Sequence, residues 1–255
     1  MSKFVANPDD WDHHWSVHNE AAAANPAQKY RFLRIDSLIN GLNLKKDVIK
    51  VVDLGCGSGD LLHDLSVRRP NYVLAGIEPS LHGVTVAASK TRGVEFINSD
   101  ITKDAEANLV LSQSDVIVCT EVLEHLDEPE LLLRSLADKV PRFSFLVLSV
   151  PGGPRSSFDR HIGHRRHFSK KRLENLLSDS GFTNIRVYRS GFPAFNIYKI
   201  CVLMLGDRLI ASSKEIAVSK WAGIASYFFE RCMRYSLVDS FGGWQLFATC
   251  QKRNI

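Results

Sequence analysis

The fold class follows from Val51-Val52-Asp53-Leu54-Gly55-Cys56-Gly57-Ser58-Gly59, in which an apolar strand leads directly into a glycine-rich turn. A helix is expected to begin at Asp60. Glycines let the backbone turn tightly, and they let a ligand approach without a clash against a Cβ atom. The stretch is therefore typical of the first βα unit of a nucleotide-binding α/β fold.

The spacing and charges of this turn distinguish between ligands. A dinucleotide fingerprint reads G-x-G-x-x-G, whereas this turn reads G-x-G-x-G and is followed by Asp60. Asp53 places a second carboxylate before the turn. Carboxylates disfavour a pyrophosphate but favour a ligand that carries an ammonium and a sulfonium. The charges therefore favour S-adenosylmethionine over NAD, and no Gly-Lys-Ser/Thr follows that would make a P-loop.

Outward from this unit, short apolar runs alternate with helical patterns. This alternation predicts a largely parallel sheet with helices on both faces. The predicted strands cover residues 48–54, 72–77, 94–97, 115–119, 143–150, 184–189 and 244–251. Two helices have clear start signals. Asp127 and Glu130 fit a capping box before the helix at 128–139, and Ser169 caps the helix at 170–180, which Gly181 ends.

Acidic residues follow the second and third predicted strands. Glu78 can accept hydrogen bonds from ribose hydroxyls, as an acid at this position does in dinucleotide folds, with Pro79 beside it. Asp100 can accept from an adenine amine, and Ile101 can pack on the ring. Because the carboxyl ends of parallel strands meet at one sheet edge, these groups and the glycine-rich turn are expected to form one site.

A second group of candidates follows the fourth strand, in Thr120-Glu121-Val122-Leu123-Glu124-His125-Leu126. If this segment is helical, the spacing i, i+3, i+4 puts Glu121, Glu124 and His125 on one face. Glu124 or His125 would then act as general base or orient a substrate. Alternatively, the two carboxylates and the imidazole would hold a divalent metal, and a solvated polar face is the simplest alternative.

A third group is the basic loop of residues 158–168, which contains three histidines and three arginines from Arg160 to His167. His164 and His167 are expected to face the substrate. Arg165 or Arg166 would neutralise an acidic group on it, since an arginine fork suits carboxylate or phosphate. A solvated lead-in to the next helix is the alternative.

The segment from Val48 to Val150 resembles the class I S-adenosylmethionine-dependent methyltransferases. The resemblance rests on the glycine-rich motif, on Glu78 as the ribose acid and on Ser99-Asp100-Ile101 as the adenine motif. It implies a doubly wound, seven-stranded Rossmann-like sheet whose last strand is antiparallel and lies between the fifth and sixth. The cofactor-binding residues it implies, together with those placed beside them by position, are Asp53, Gly55, Cys56, Gly57, Ser58, Gly59, Glu78, Pro79, Asp100, Ile101, Thr120 and Glu121. Arg34 or Arg31 would pair with the methionine carboxylate.

The string Glu-Val-Leu-Glu-His-Leu, residues 121–126, resembles the ubiquinone-type O-methyltransferases and also the small-RNA 3′-end methyltransferases. Members of both groups use Glu-x-x-Glu-His with a later histidine for metal. The string also occurs in methyltransferases without a known metal, so S-adenosylmethionine is the cofactor expected here and no metal ligand is assigned.

These features predict an N-terminal helical lid at 1–45 and a methyltransferase domain at 46–255, with a helical insertion at 191–240. Pro26 is expected to open a helix in the lid, and Gly41 to end it. The insertion would roof an apolar acceptor pocket, form a homodimer contact or rest on a membrane surface as a peripheral contact.

The expected reaction is methyl transfer to an oxygen or nitrogen of an acidic or partly apolar small molecule in a biosynthetic pathway. His125, His164, His167 and Glu124 are the candidate catalytic residues. The alternative is a metal-assisted RNA ribose or protein methyltransferase that uses the basic loop. A non-enzymatic binder is a third hypothesis, disfavoured by the intact cofactor motifs.

Bulk composition is consistent with this expectation. The 255 residues are 45% apolar and carry a formal net charge of +4, too mild to demand nucleic acid as a partner. The base-stacking string Asn/Asp-Pro-Pro-aromatic is absent after the fourth strand, which leaves ribose methylation open. Five cysteines without a CxxC pair suggest neither a zinc ribbon nor a disulfide framework, and no signal peptide is evident. A cytoplasmic location is therefore expected.

Overall fold

The computed structural model describes residues 10–42, 44–100, 104–211, 229, 231–233 and 239–253. Seven strands form one sheet in the order β3-β2-β1-β4-β5-β7-β6. The strands are β1 Ile49–Leu54, β2 Tyr72–Glu78, β3 Glu95–Asn98, β4 Val116–Thr120, β5 Phe145–Pro151, β6 Phe182–Ser190 and β7 Gln245–Lys252. Every pairing among β1 to β5 is parallel, and β7 pairs antiparallel with both β5 and β6. The predicted sheet and its antiparallel last strand are confirmed.

The helices of the described residues alternate with the strands as predicted. They are α1 Trp11–Ala24, α2 Pro26–Asn40, α3 Asp60–Arg68, α4 Leu81–Lys90, α5 Ala105–Leu111, α6 Pro129–Lys139, α7 Ser157–His161, α8 Lys170–Asp179 and α9 Ala194–Ala211. Among these residues, no helix combines the length and hydropathy that crossing a bilayer requires.

The starts of α2 and α8 follow their local chemistry, and the start of α6 does not. Asn25 caps α2 by accepting from the Ala27 amide, and Ser169 caps α8 by accepting from the Arg172 amide. The capping box predicted at Asp127 is wrong. Glu128 is the N-cap of α6 and makes no side-chain cap bond. Asp127 instead forms an ion pair with Arg165, a tertiary contact that local sequence does not reveal.

The apolar core lies in two layers, one on each face of the sheet. Neighbouring strand residues point to opposite faces, so Val51 belongs to one layer and Val52 to the other. Burial of such a side chain stabilises the fold by about 1.5–3 kcal/mol. Ile35 and Ile39 of α2 are almost completely buried in the first layer. The α2 part of the predicted lid is therefore packed against the sheet, while α1 lies at the sheet edge beside α4.

Helix α9 begins the predicted insertion at 191–240. Residues 1–9 of the predicted lid, and residues 212–228, 230 and 234–238 of the insertion, lie outside the described residues.

Candidate functional site

One cavity of about 400 Å³ opens at the carboxyl ends of the parallel strands, where β1 and β4 lie side by side and the strand order reverses. Ligands of open α/β sheets bind at such a switch point. The cavity is lined by the glycine-rich turn, by Glu78 and Pro79, by Thr120 and Glu121, and by His125 and His164. The fold thus brings most of the predicted site residues to one place.

The glycine-rich turn requires glycine for two separate reasons. Gly55 has φ +74° and Gly57 has φ +52°, a left-handed backbone that side chains rarely adopt. In addition, a Cβ atom on Gly55 would lie 2.6 Å from Val122 Cγ2, and one on Gly57 would lie 2.2 Å from Trp15 Cζ2. The turn is therefore packed closely from both the β4 side and the α1 side.

Two buried carboxylates stand beside this turn. Glu78 accepts hydrogen bonds from the Gly57 amide at 2.9 Å and the Ser80 amide at 3.0 Å. Burial raises the pKa of Glu78, and these amides act in the opposite direction. Asp53 is 1% exposed, and its Oδ1 has no hydrogen-bond partner. Burial, with the charge of Glu78, raises the pKa of Asp53 to about 7. Together the two acids suit a cationic, hydroxyl-bearing ligand.

The structure describes the adenine part of the site only in part. Asp100 is exposed and is not among the residues that line the cavity. Ser99 donates its amide to the Glu78 carbonyl at 3.1 Å, which ties this segment to β2. Ile101 lies outside the described residues. An adenine contact by Asp100 and Ile101 stays a prediction.

Glu121 lies at the centre of a polar network. Its Oε1 accepts from Ser149 Oγ at 2.9 Å and from Gln245 Nε2 at 2.8 Å, and its Oε2 lies 3.6 Å from Arg31 Nη1. Arg31 lines the cavity. Arg34 is not among the lining residues, and its guanidinium carbon lies 5.4 Å from the Tyr30 ring centre. Of the two arginines considered from sequence, the structure places Arg31 in the site.

The segment after β4 is a turn and not the predicted helix. Glu121 takes the left-handed conformation, with φ +55°, and only a short turn follows, in which the His125 amide donates to the Val122 carbonyl. The expected single helical face is therefore wrong. The turn nevertheless directs Glu124 into the protein, where it is completely buried and neither carboxylate oxygen has a hydrogen-bond partner. Burial, with the charge of Glu121, raises the pKa of Glu124 far above its usual range.

Three histidines form a row next to Glu124. The rings of His125 and His164 are perpendicular, with centres 4.7 Å apart. His164 Nδ1 lies 3.3 Å from His167 Nε2, and His167 Nδ1 lies 3.1 Å from the Gly153 carbonyl oxygen. His164 Nε2 is 3.9 Å from Glu124 Oε1. The four candidate catalytic residues are thus neighbours, although two come from the turn after β4 and two from the loop after α7.

Two residues of this cluster were missed by sequence reasoning. Asp159 of α7 accepts from Lys199 Nζ of α9 at 2.5 Å, and its carboxylate oxygens lie 3.9 Å from His164 Nδ1 and 3.8 Å from His167 Nε2. Burial alone would raise the pKa of Asp159, but Lys199 and the hydrogen bonds from Ser156 together lower it. Burial, with the charge of His125, lowers the pKa of His164, so this imidazole is neutral at pH 7. No sequence motif marks Lys199, because only the packing of α9 on α7 brings it next to Asp159.

The arginines of the basic loop stabilise the turn after β4. Arg165 pairs with Asp127, and Arg166 Nη2 donates to the carbonyls of Leu126 and Asp127 at 2.8 and 2.6 Å. Neither is among the residues that line the cavity, whereas Lys199 is.

Among the described residues, two sets of side chains have the spacing of a metal site. Their ligand atoms lie within 4.8 Å of one another in Glu124, His125 and His164, and again in Asp159, His164 and His167. The first set fits a divalent first-row metal, because the Glu124 oxygens have no hydrogen-bond partner and a carboxylate with two imidazoles is a common donor set. The second set fits less well, because Lys199 already binds Asp159.

The fold and the cavity together define a Rossmann-like methyltransferase architecture of class I. The family described as "Methyltransferase domain" matches residues 27–187, more than half of the chain. The chain therefore belongs to this methyltransferase-domain family, within the class I S-adenosylmethionine-dependent superfamily.

Relatives by sequence and by structure agree with this assignment. The chain is 30% identical over 167 residues to a ubiquinone biosynthesis O-methyltransferase of Aeromonas salmonicida, covering 64% of this chain and 66% of the relative. It is 34% identical over 143 residues to a trans-aconitate 2-methyltransferase of Mycolicibacterium gilvum, covering 55% and 52%. The chain thus spans about half to two thirds of these relatives. The plantazolicin methyltransferase BpumL, solved with a desmethyl-plantazolicin analogue and S-adenosylhomocysteine, superposes with a TM-score of 0.56 at 16% identity, covering 96% and 89%, which shows the shared fold.

Proposed function

We propose that this protein transfers a methyl group from S-adenosylmethionine to an oxygen or nitrogen of a small-molecule acceptor in a biosynthetic pathway. The observation that carries the proposal is that the buried acids beside the glycine-rich turn and the histidine row face one cavity. In-line displacement at a sulfonium needs the donor methyl and the acceptor atom held in contact, with a base beside the acceptor. A single cavity lined by both groups supplies that arrangement.

The cofactor half would use charge. Asp53 and Glu78 are buried acids. A ligand with a sulfonium, an ammonium and ribose hydroxyls would offset the free-energy cost of their desolvation better than a neutral ligand would. Arg31, whose Nη1 lies 3.6 Å from Glu121 Oε2, would receive the methionine carboxylate. A Cβ atom on Gly55 would clash with Val122 and one on Gly57 would clash with Trp15, so glycine at both positions keeps the turn in the shape that would face the ligand.

The acceptor half would use the histidines. As the S–CH₃ bond breaks, its electron pair stays on sulfur, and the new bond to the acceptor forms from the acceptor's lone pair. The acceptor proton would pass to a neutral imidazole, and His125 and His164 are the candidates that line the cavity. His167 and Glu124 hold His164 between them and are assigned positioning roles. A divalent cation, when bound, would be held by Glu124, His125 and His164 and would lower the pKa of an acceptor hydroxyl.

The acceptor that fits this cavity is partly apolar and carries an acidic group. Aromatic and aliphatic side chains line the acceptor half: Phe158, Ile162, Phe195, Tyr198, Val202 and Trp244. Lys199 is the cation of α9 in this wall. The RNA alternative is less favoured, because Arg165 and Arg166 bind the turn after β4 and are turned away from the cavity.

The outer face of α9 supports a peripheral contact with an anionic membrane surface. Ile197, Ile200 and Met204 recur at helical spacing and are 50%, 42% and 80% exposed, while Lys199 and Val202 of the same helix line the cavity. Exposed Arg155 and Arg160 lie on the neighbouring α7 segment, where they would attract acidic lipid headgroups. An acceptor drawn from the membrane would then reach the cavity beside α9.

The five cysteines are free thiols, which accords with a cytoplasmic location.

Vesicle sedimentation tests this surface. Wild-type protein is expected to sediment with vesicles of phosphatidylcholine and phosphatidylglycerol more than with phosphatidylcholine alone. Met204→Glu should lose this binding, and Val67→Glu, at an exposed position of α3, should keep it. Equal binding by both variants contradicts the membrane contact. A shift from dimer to monomer in Met204→Glu by sedimentation velocity would instead make the face a homodimer interface.

The first test of the activity is calorimetric titration with S-adenosylhomocysteine. Wild-type protein is expected to bind at micromolar concentration, and Glu78→Ala to lose at least tenfold in affinity. Glu106→Ala, at an exposed position of α5, is the matched control. Titration with and without EDTA tests whether the donor set at Glu124 contributes. Absence of binding by folded wild-type protein would overturn the proposal, and binding justifies an acceptor screen by mass spectrometry.

A further inference from the structure

Helix α1 contacts the candidate site at three separate places. Trp11, His14 and Trp15 all line the cavity, and they recur at the spacing i, i+3, i+4, which is one face of a helix. None of these positions belongs to the glycine-rich motif or to the acids after β2 and β3. What α1 contacts on each side indicates its role.

Trp15 packs against the backbone of the glycine-rich turn. A Cβ atom on Gly57 would meet Trp15 Cζ2 at 2.2 Å, and one on Gly83 would meet Trp15 Cδ1 at 3.2 Å and Glu78 Cγ at 3.3 Å. The indole therefore lies between the turn after β1 and the first turn of α4, beside Glu78. A ribose held by Glu78 would lie beside this indole, so movement of the indole would cover or expose it.

Asp12 holds α1 at the start of α4. Its Oδ1 accepts from Ser80 Oγ at 2.7 Å and from the His82 amide at 2.9 Å. The hydrogen bond from the His82 amide and that from Ser80 lower the pKa of Asp12, so the carboxylate is charged at neutral pH. Ser80 also donates its amide to Glu78 Oε1 at 3.0 Å. One residue, Ser80, thus binds both the acid of α1 and the proposed ribose acid.

Trp11 contacts the histidine row from the same helix. Its ring meets the His125 ring edge-on, with centres 4.9 Å apart and planes at 82°. The position of α1 therefore fixes two things together, the indole beside Glu78 and the imidazole of His125.

We propose that α1 is the gate of the cofactor site, with Asp12 as the latch, Trp15 as the cofactor-covering residue and Trp11 as a positioning residue for His125. This inference rests on the proposed binding of S-adenosylmethionine. The latch is two hydrogen bonds to the start of α4, and it has to open before a ligand that is bound by Glu78 and covered by Trp15 can leave. The latch therefore sets the release rate of S-adenosylhomocysteine, and the same closure aligns His125 with the acceptor.

Stopped-flow measurement of S-adenosylhomocysteine release, followed by tryptophan fluorescence, tests the latch. Asp12→Ala is expected to release the ligand about tenfold faster than wild type. Asp12→Asn keeps an acceptor oxygen for Ser80 and His82, so it should release within about twofold of wild type. Asp10→Ala is the matched control, because Asp10 accepts from the His13 amide and so caps α1 itself, a hydrogen bond within the helix and not one to α4. Faster release in Asp10→Ala equal to that in Asp12→Ala would overturn the latch.

The two tryptophans are distinguished by kinetics. Trp15→Ala should raise the dissociation constant of S-adenosylhomocysteine about tenfold, with partial recovery in Trp15→Phe. Trp11→Ala should lower kcat with little change in the KM for the cofactor, because it acts through His125. A wild-type release rate in both Asp12→Ala and Trp15→Ala contradicts the gate.

Hydrogen exchange of α1 separates this inference from the proposed function. Without any ligand, Asp12→Ala should lose amide protection in α1 while α3 keeps its own. If wild-type protein fails to bind S-adenosylhomocysteine, the proposed function fails, and unchanged protection in Asp12→Ala then contradicts the latch as well.

Discussion

Asp53 is buried beside a second carboxylate, Glu78, so its ionisation lowers the stability of the folded protein when no ligand is bound. Its pKa is raised to about 7 by burial and by Glu78, against an ordinary value of 3.8. Between these values the folded state holds a proton that the unfolded state has released, so the free energy of unfolding falls as pH rises from 4 to 7. Above pH 7 Asp53 is ionised in the folded and the unfolded state. Its burial then lowers the free energy of unfolding by roughly 4 kcal/mol, for about three pKa units.

Asp53→Asn is therefore expected to be more stable than wild type at pH 8 and about equally stable near pH 4. Urea unfolding at both pH values without cofactor measures this difference, with the exposed Asp179→Asn as control. The same variant should bind S-adenosylhomocysteine more weakly, because the amide offers no charge to an ammonium. If the free energy of unfolding changes equally with pH in wild type and in Asp53→Asn, the raised pKa of Asp53 is contradicted.

The cofactor half of the site was accessible to sequence reasoning because its residues lie at the carboxyl ends of successive strands. Gly55, Gly57 and Glu78 follow strands, and a parallel sheet brings strand ends together without further information. The acceptor half was not accessible in the same way. Asp159, Lys199 and Gln245 come from α7, α9 and β7. Lys199 binds Asp159 and Gln245 binds Glu121 only because those elements pack together. No spacing in the sequence signals such contacts.

At the scale of the element, the turn between β1 and α3 is built for contact with α1. Gly57 and Gly93 both have positive φ, +52° and +78°, so an alanine at either position is strained by about 1–3 kcal/mol. A Cβ atom at Gly57 meets Trp15, whereas one at Gly93 meets nothing within 4 Å. The pair therefore separates backbone strain from the contact with α1.

Gly57→Ala is expected to weaken S-adenosylhomocysteine binding more than tenfold and to change the tryptophan emission of the free protein, because Trp15 has to move. Gly93→Ala should lower the unfolding midpoint while affinity and emission stay those of wild type. Calorimetry and emission spectra of both variants give the comparison. A similar loss of affinity in Gly93→Ala would mean that general destabilisation, and not the contact, is measured.

Helix α2 carries Arg31 into the cavity and depends on one side chain at its start. Asn25 Oδ1 accepts from the Ala27 amide at 2.9 Å and from Tyr198 Oη of α9 at 3.1 Å. Loss of such a cap costs about 1 kcal/mol, so Asn25→Ala should unfold at lower urea concentration by more than Asp104→Ala, which uncaps the short α5. Urea titration of the two variants measures the difference. Equal losses would show that the contact with α9 contributes nothing.

The segment after β4 shows where local pattern and tertiary structure diverge. Glu121, Glu124 and His125 have helical spacing, and the pattern predicted one face for them. The chain instead turns at Glu121, whose carboxylate binds Ser149 and Gln245, while Arg166 binds the carbonyls at the end of the turn. These tertiary hydrogen bonds outweigh a weak helical preference over only a few residues.

At the scale of the whole molecule, the insertion of β7 between β5 and β6 closes the site. The chain leaves β6, forms α9 over α7, and returns as β7, which brings Lys199 and Gln245 to the same cavity. Residues from Trp11 to Gln245 therefore line one volume. A ligand bound there contacts α1, the first half of the sheet and the last strand together, so binding is coupled to global unfolding.

Ligand-linked stability therefore tests the choice of cofactor. S-adenosylhomocysteine at 100 times its dissociation constant adds about 2.7 kcal/mol to the free energy of unfolding, which for a chain of this size raises Tm by roughly 5–10 °C. NAD at the same concentration should leave Tm unchanged, because Asp53 and Asp60 repel a pyrophosphate and Asp60 stands where the dinucleotide fingerprint has its third glycine. Glu78→Ala should lose most of the shift with S-adenosylhomocysteine. Differential scanning fluorimetry of both proteins with both ligands decides the matter, since a shift with NAD and none with S-adenosylhomocysteine would assign this turn to a dinucleotide.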